Sequence, residues 1–491
     1  MRTVTSIISI ICIYALTGYP VTLENWRAPF YRIAVEQSEI SGSPSSMFWD
    51  EMRWAPIMDP RLWPDSAKYA KNHWTLEPAL TTAFSNEKFI SAKKYNFHFD
   101  MLSDFTWKKL TVRTALDVDQ RYKSDPDYKW KTDRIAAGLI EEAYLQYTGK
   151  HGFMRFGRMK RNWGPFHDRS ILLSNNPFAY DAFEWQLHTP FLEFRHLTAA
   201  FPRDFSDFDT GAQKKNRYFS AHALNFIFGN WASIGISETV LFSRESGFPD
   251  LQLINPVSIY TVINTNGEGN ANLMLGFQGW IHPLTDKITL KGQLVFDDFQ
   301  VDDENVLDKE PTHWACDFGL YWVDLLPLPF NHHFTFEYRY LSKWLYTVTP
   351  GNTLNGERYT YLGRSLGYED IDGDFFKGAF TAVGKNFWAA TAGITVARKD
   401  TNTLDTPWLN DSTLGYTKED PLSKRAHLKT TIAPFIEAHG YFRDFADIHF
   451  TFENRWVKDK KESKEYVYDP YISLTLSLHY SDFFVLFKKR K

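Results

Sequence analysis

Residues 97–118 read FHFDMLSDFTWKKLTVRTALDV, and their alternation admits one kind of backbone. Phe97, Phe99, Met101, Phe105 and Trp107 fall on one side of an extended chain, with His98, Asp100, Asp104 and Thr106 on the other. Beyond Lys108 and Lys109, Leu110, Val112, Leu116 and Val118 oppose Thr111, Arg113 and Asp117. A period of two puts successive side chains on opposite faces of a sheet, so the stretch predicts a β-hairpin. The same pattern, in segments about ten residues long, recurs through most of the chain with polar connections between, which is the signature of a transmembrane β-barrel. Apolar residues then face lipid and polar ones the lumen.

Composition is consistent with this reading. Phe, Tyr and Trp make up 17% of the 491 residues, a bias that suits aromatic girdles at both membrane interfaces. A large aromatic core or a sugar-binding surface would show the same bias. The net charge of −4 argues against a nucleic-acid partner. Arg2 and the apolar run at 7–16 read as an export signal over residues 1–20, too short for a spanning helix. Cys12 falls in that segment, which leaves Cys316 without an intrachain disulfide partner. An exported chain without helical spans that keeps a membrane-type alternation is expected in a bacterial outer membrane, because a closed barrel satisfies its backbone in lipid.

Residues 21–90 lack the alternation and are rich in Trp, Pro and charge, so a small periplasmic helical or irregular segment is expected there. The barrel is expected over 91–491, with a loop inserted at 157–190. Seventeen strand segments can be picked out, among them 134–147, 191–201, 218–228, 257–263, 287–297 and 471–480. Single-chain bacterial barrels have an even number, so about 18 strands are expected. The final segment sets Ile472, Leu474, Leu476 and Leu478 against Ser473, Thr475, Ser477 and His479, which lets it close the barrel.

The interruption at 157–181, GRMKRNWGPFHDRSILLSNNPFAYD, is the most distinctive stretch. Arginines fork onto carboxylates and the apolar face of a sugar packs on tryptophan, so Arg158, Arg161, Trp163 and Asn175 are the candidate ligand-binding residues. The competing reading is a loop folded into the lumen as a plug. The order GR, WGP and LLSNN followed by Pro and Asp, with EEAYLQY at 141–147, LINPVSIY at 253–260 and LGRSLGYED at 362–370, resembles the outer-membrane capsule-assembly proteins of the Wzi type. The resemblance implies a barrel of about 18 strands after a small helical bundle, and a lectin-like role in holding capsular or surface polysaccharide. Outer-membrane lipid and the barrel assembly machinery are the other expected partners.

Catalysis finds less support. No His-Glu-x-x-His motif occurs. The acidic runs at 297–304 and 370–374 lack the spacing of a calcium loop and read as solvated charge. The pair His332-His333 falls at a turn, where adjacent side chains diverge. No catalytic residue, metal or cofactor is expected. The reading is a polysaccharide-binding barrel without turnover, with a porin-like channel for sugars or small solutes as the rival and an outer-membrane hydrolase third.

Overall fold

The computed structural model describes residues 73–485 apart from 90–92, 134–136, 167–168, 203–215, 267–270, 299–311, 349–355, 385–387, 407–421, 423–424, 426, 443–445, 462–464 and 480–481. The expected export signal, and residues 21–72 of the expected periplasmic segment, lie outside these residues. The strands run β1 (His73–Phe89), β2 (Lys93–Trp107), β3 (Leu110–Asp119), β4 (Gly138–Thr148), β5 (Gly152–Met159) and β6 (Tyr180–His188). Next come β7 (Leu192–Phe201), β8 (Asn216–Phe228), β9 (Ala232–Arg244), β10 (Ala271–Ile281), β11 (Ile288–Asp298), β12 (His313–Val323) and β13 (Asn331–Leu341). A small hairpin, β14 (Thr360–Tyr361) and β15 (Arg364–Ser365), stands apart from the wall. The wall resumes with β16 (Gly373–Val383), β17 (Trp388–Lys399), β18 (Lys429–Phe442), β19 (Ala446–Glu453) with its continuation β20 (Trp456–Asp459), and the short β21 (Val467–Tyr468), which pairs with β20 and has β22 (Tyr471–His479) and β23 (Asp482–Val485) as its continuations.

Counting each continuation with its strand, these form a closed antiparallel barrel of 18 strands. The hairpin at 97–118 is present, with Phe99 opposite Val118 and Trp107 opposite Leu110. Its aromatic face is the outer one: Phe97, Phe99, Phe105 and Trp107 are exposed, while Asp104 and Asp117 are buried inward. Closure is made by β22 on β1, where Thr81 faces Ser477 and its hydroxyl donates to that serine at 3.1 Å.

The barrel therefore begins earlier than residue 91. In β1, outward Trp74, Leu80 and Phe84 alternate with inward Ala79 and Ser85, but small residues on both sides flatten the contrast. Pro78 resembles a breaker, yet it lies within the strand, opposite Met101 of β2. The inserted loop is shorter than 157–190, because β5 and β6 take both of its ends. The segment at 257–263 is not a strand. Two short helices, α1 (Leu251–Ile254) and α2 (Tyr260–Thr265), occupy that connection. One false strand and the two missed ones, β1 and β6, reconcile seventeen segments with the barrel.

Connections differ at the two ends. Residues 108–109, 149–151, 189–191 and 229–231 are tight turns at one end, whereas 120–137, 160–179, 245–270 and 342–372 are long at the other. Short turns mark the periplasmic side and long loops the outside. The described residues of two long connections, 160–179 and 342–372, turn inward and occupy one side of the lumen. Ile171, Leu172, Leu173, Tyr346, Tyr359 and Leu366 pack there against the inward faces of β7 to β12.

Candidate functional site

The plug is held by hydrogen bonds because its irregular backbone must be satisfied inside the barrel. Trp163 and Leu173 form a bridge, with Trp163 N donating to Leu173 O at 2.8 Å. Gln293 on β11 accepts from Ile171 N at 2.7 Å. Tyr346 and Tyr359 donate their hydroxyls to the carbonyls of Ile171 and Leu172, at 2.5 and 2.7 Å. Ser174 N donates to Leu366 O at 2.7 Å, which joins the two inserted segments. Arg217 on β8 donates to the carbonyls of Gly356, Arg358 and Thr360, at 2.5, 3.2 and 2.8 Å.

Charge is fixed in the same dry interior. Glu184 on β6 faces Arg155, Arg161 and Arg195 at 3.0, 3.3 and 2.6 Å, and all four side chains are buried. Arg169 on the plug reaches Asp317 at 2.8 Å and Glu337 at 3.1 Å, and Arg339 shares Asp317 at 2.9 Å. These groups compensate one another and anchor plug to wall.

The four candidate residues are not brought together. Arg161 is fully buried, 4.5 Å above the Tyr180 ring, and donates to the carbonyls of Met159 and Tyr180. Trp163 is likewise fully buried, with the Arg195 guanidinium 5.2 Å from its ring. Arg158 belongs to β5 rather than to a loop. It shares the outer wall face with exposed Met154 and Phe156 and pairs with Asp181 at 2.6 Å. Asn175 is half-buried on the plug beside Asn176, whose amide donates to Ser365 O at 3.0 Å. Arg161 and Trp163 are buried where they hold the plug, while Arg158 and Asn175 are partly exposed.

A different cluster is presented at the outer mouth. After β3 a 3-10 turn, Gln120–Ser124, is capped by Asp119, which accepts from Arg121 N at 2.7 Å. The following loop leans over the lumen, where Tyr122 donates to inward Asp117 at 2.9 Å and Tyr128 to Gly138 O at 3.1 Å. Tyr122 stacks on Tyr128 at 5.1 Å, Tyr128 tilts against Trp130 at 5.2 Å, and Trp130 meets Phe178 of the plug edge-on at 5.4 Å. Trp130 is 41% exposed. Arg364, at the tip of the β14–β15 hairpin, lies 4.0 Å over the Phe178 ring and pairs with Asp125 and Asp127. That tip needs Leu362 and Gly363 at φ 52° and 89°, and a Cβ at Gly363 would come within 2.9 Å of Asp127. Arg121, Lys123, Lys129 and Lys131 are exposed around the aromatic residues. The signal was present in the sequence as RYKSDPDYKWK at 121–131, where cations and aromatic rings interleave.

Among the described residues, two inward clusters have the donor chemistry for a metal: His98, Asp100 and Asp117, and Glu437, His439 and His449. In the first, His98 Nε2 is 2.8 Å from Asp117 and 3.2 Å from Asp100, an ion-pair arrangement. In the second, the rings of His439 and His449 stack at 3.8 Å instead of converging on a point. The acidic run at 370–374 is dispersed among separate partners, Lys399 for Asp370, Arg425 for Asp372 and Arg398 for Asp374. Asp297 accepts from Tyr346 N at 2.5 Å, while residues 299–304 lie outside the described residues.

No family model matches the chain, and no curated protein does. Among solved structures it is similar to Wzi of Escherichia coli, described as a carbohydrate-binding β-barrel of the outer membrane involved in group 1 capsule assembly. The TM-score is 0.61 at 11% identity, covering 94% of this chain and 99% of that one. OpdK of Pseudomonas aeruginosa matches at a TM-score of 0.46 and 8% identity, over 83% of this chain and 99% of that one. OccK5 of the same organism matches at 0.46 and 8%, over 84% and 98%. The resemblance to Wzi-type proteins read from the sequence thus holds as a likeness of fold. With its apolar outer wall, the chain is an outer-membrane β-barrel.

Proposed function

We propose that this barrel binds or organises surface polysaccharide at the cell surface, without chemical turnover, on the platform centred on Trp130. The observation that carries the reading is the exposed Trp130 ring, buttressed by Tyr128 and Phe178 and flanked by Arg364, Lys129 and Lys131. A ring face takes the apolar side of a sugar, and cations beside it favour a polymer bearing carboxylates. The fold shared with a carbohydrate-binding barrel supports the same reading. A plug packed against β7 to β12 and hydrogen-bonded to the wall argues for retention over permeation. The channel reading draws on the partly exposed His98, Asp100, His439 and His449, which line the opposite wall.

The test is a titration of the refolded protein with the host's purified surface polysaccharide, in native form and as Trp130→Ala. Loss of a central tryptophan anchor is expected to weaken binding by about 2 kcal/mol, or roughly 30-fold. An unchanged affinity would remove the platform from the site. Conductance in a planar bilayer separates the rival: a closed baseline fits polymer retention, and steady open current fits a channel.

A further inference from the structure

The connection between β9 and β10 does not stand above the barrel mouth; α1 and α2 fold back over the outer wall. Strand parity fixes this. On β9, Ile234 and Ile236 are exposed to the outside, whereas Thr239 bonds to Tyr359 in the lumen and Leu241 joins the lumen core. Glu238, Val240 and Phe242 therefore share the lipid-facing side. By the same parity Tyr218, Ser220 and His222 of β8 lie on the side of exposed Phe226 and Phe228. His196 of β7 lies opposite the lumen-facing Leu197 and Ala199.

A lipid-facing wall that carries a glutamate and two histidines needs a cover, because hydrocarbon offers no partner for them. The two helices supply it. Leu253 and Tyr260 pack on Tyr218, Val240 and Phe242, with Ile254 and Ile263 beside them. The Glu238 carboxylate accepts from Tyr260 N at 2.9 Å, Thr261 N at 3.2 Å and the Thr261 hydroxyl at 2.5 Å, and lies 3.0 Å from His222 Nε2. The Tyr260 hydroxyl meets Ser220 Oγ at 2.8 Å, itself 3.3 Å from His196 Nε2. The polar groups are thus closed off between wall and flap.

The exposed side of the flap is largely apolar, with Gln252, Asn255 and Asn264 among its exposed residues. Phe248, Leu251, Val257, Ile259 and Val262 are each more than half exposed. Glu238 is six residues above Ala232 at the periplasmic end of β9. That is about 20 Å of strand, or about 15 Å along the axis at the usual tilt, inside an apolar band about 25 Å tall. The flap therefore lies at the depth of lipid, directly above the exposed Phe226, Ile234, Ile236 and Phe277 of the wall.

We infer that residues 248–265 form a membrane-embedded flap whose exposed apolar face contacts the acyl chains of the outer leaflet, continuing the belt of the wall below. The test places single cysteines at Val257 or Ile259, in the full chain with Cys12 and Cys316 changed to serine, and labels each with an environment-sensitive fluorophore. Lys131→Cys, on the outer loop, serves as the aqueous control. In liposomes, nitroxides on the lipid acyl chains are expected to quench the label at 257 and 259 several-fold more than aqueous iodide does, with the order reversed at 131. Iodide quenching equal to that at 131 would overturn the proposal. So would shielding from both quenchers that disappears on dilution of the protein in the bilayer, which would assign the face to a second copy of the chain.

Discussion

The two halves of the barrel wall obey one alternation and use it differently. From β5 to β13 the inward face meets the plug, and Leu197, Ala199, Phe219, Leu241, Met274 and Val295 are buried against it. Across β1 to β3 and β17 to β22 the inward face carries His98, Asp100, Thr391, Glu437, His439 and His449, all partly exposed. Both outer faces present Phe, Leu and Ile to lipid, apart from the stretch of β7 to β9 that the two helices cover. What fills the lumen decides the polarity of the inner face, and the bilayer decides the outer. Polar groups on the filled side must then find protein partners, as Glu184 does with three arginines, whereas on the other side buried Asp104 pairs with Arg113 while His98 and His439 are partly exposed.

The sharpest way to break this comparison is to remove an anchor from the filled half. Glu184→Ala leaves Arg155, Arg161 and Arg195 buried together without their carboxylate, and a loss of about 3–5 kcal/mol is expected. Trp163→Ala empties the centre of the plug and is expected to destabilise by a similar amount, about 3–5 kcal/mol. Denaturant unfolding of the refolded barrel reads both. If either variant unfolds at the native midpoint, the plug is not an integral part of the core. Replacing Arg161 and Trp163 together is accordingly expected to loosen the plug, with a rise in conductance, before it alters contact with polysaccharide.

How far the sequence revealed this follows from the same contrast. The hairpin at 97–118 was legible because its inner face is polar and its outer face apolar, and β22 was legible for the same reason. In β6, inward Tyr180 and Ala182 accompany outward Phe183, Trp185 and Leu187, so the strand merged with the plug that precedes it. The apolar residues at 257–263 imitated a strand because a flap between wall and lipid is apolar on two sides. The placement of the four candidate residues was hidden for a related reason. Arginine and tryptophan beside amides suit a sugar cleft and a dry ionic core equally well, and only burial separates the two. The interleaved cations and rings at 121–131 carried the more useful signal, since a solvated outer loop has no core of its own to explain Trp130.

A smaller effect sharpens the outer mouth. Lys129 and Lys131 are exposed beside Trp130, so their loss leaves the platform folded. Changing both to alanine is expected to weaken binding of an acidic polymer by roughly 1 kcal/mol at low salt, and by less as salt screens the attraction. Titrations at two ionic strengths measure this. A loss that does not shrink with salt would mean that the lysines act through packing.

The smallest effect is expected on the bare wall, at His439. Its ring stacks on His449 at 3.8 Å, and its neighbours across the ladders are Ala389 and His449. No plug side chain covers it among the described residues, and it is partly exposed. Truncation there removes a stacking contact and opens space that water can enter, so His439→Ala is expected to stay within about 0.5–1 kcal/mol of the native protein. The same measurement that detects Glu184→Ala decides the point. A loss as large as that of Glu184→Ala would mean that the two halves are equally dependent on their inward side chains. A small loss, beside a large one at Glu184, would confine the structural core to the filled half and leave the bare wall free to change its chemistry.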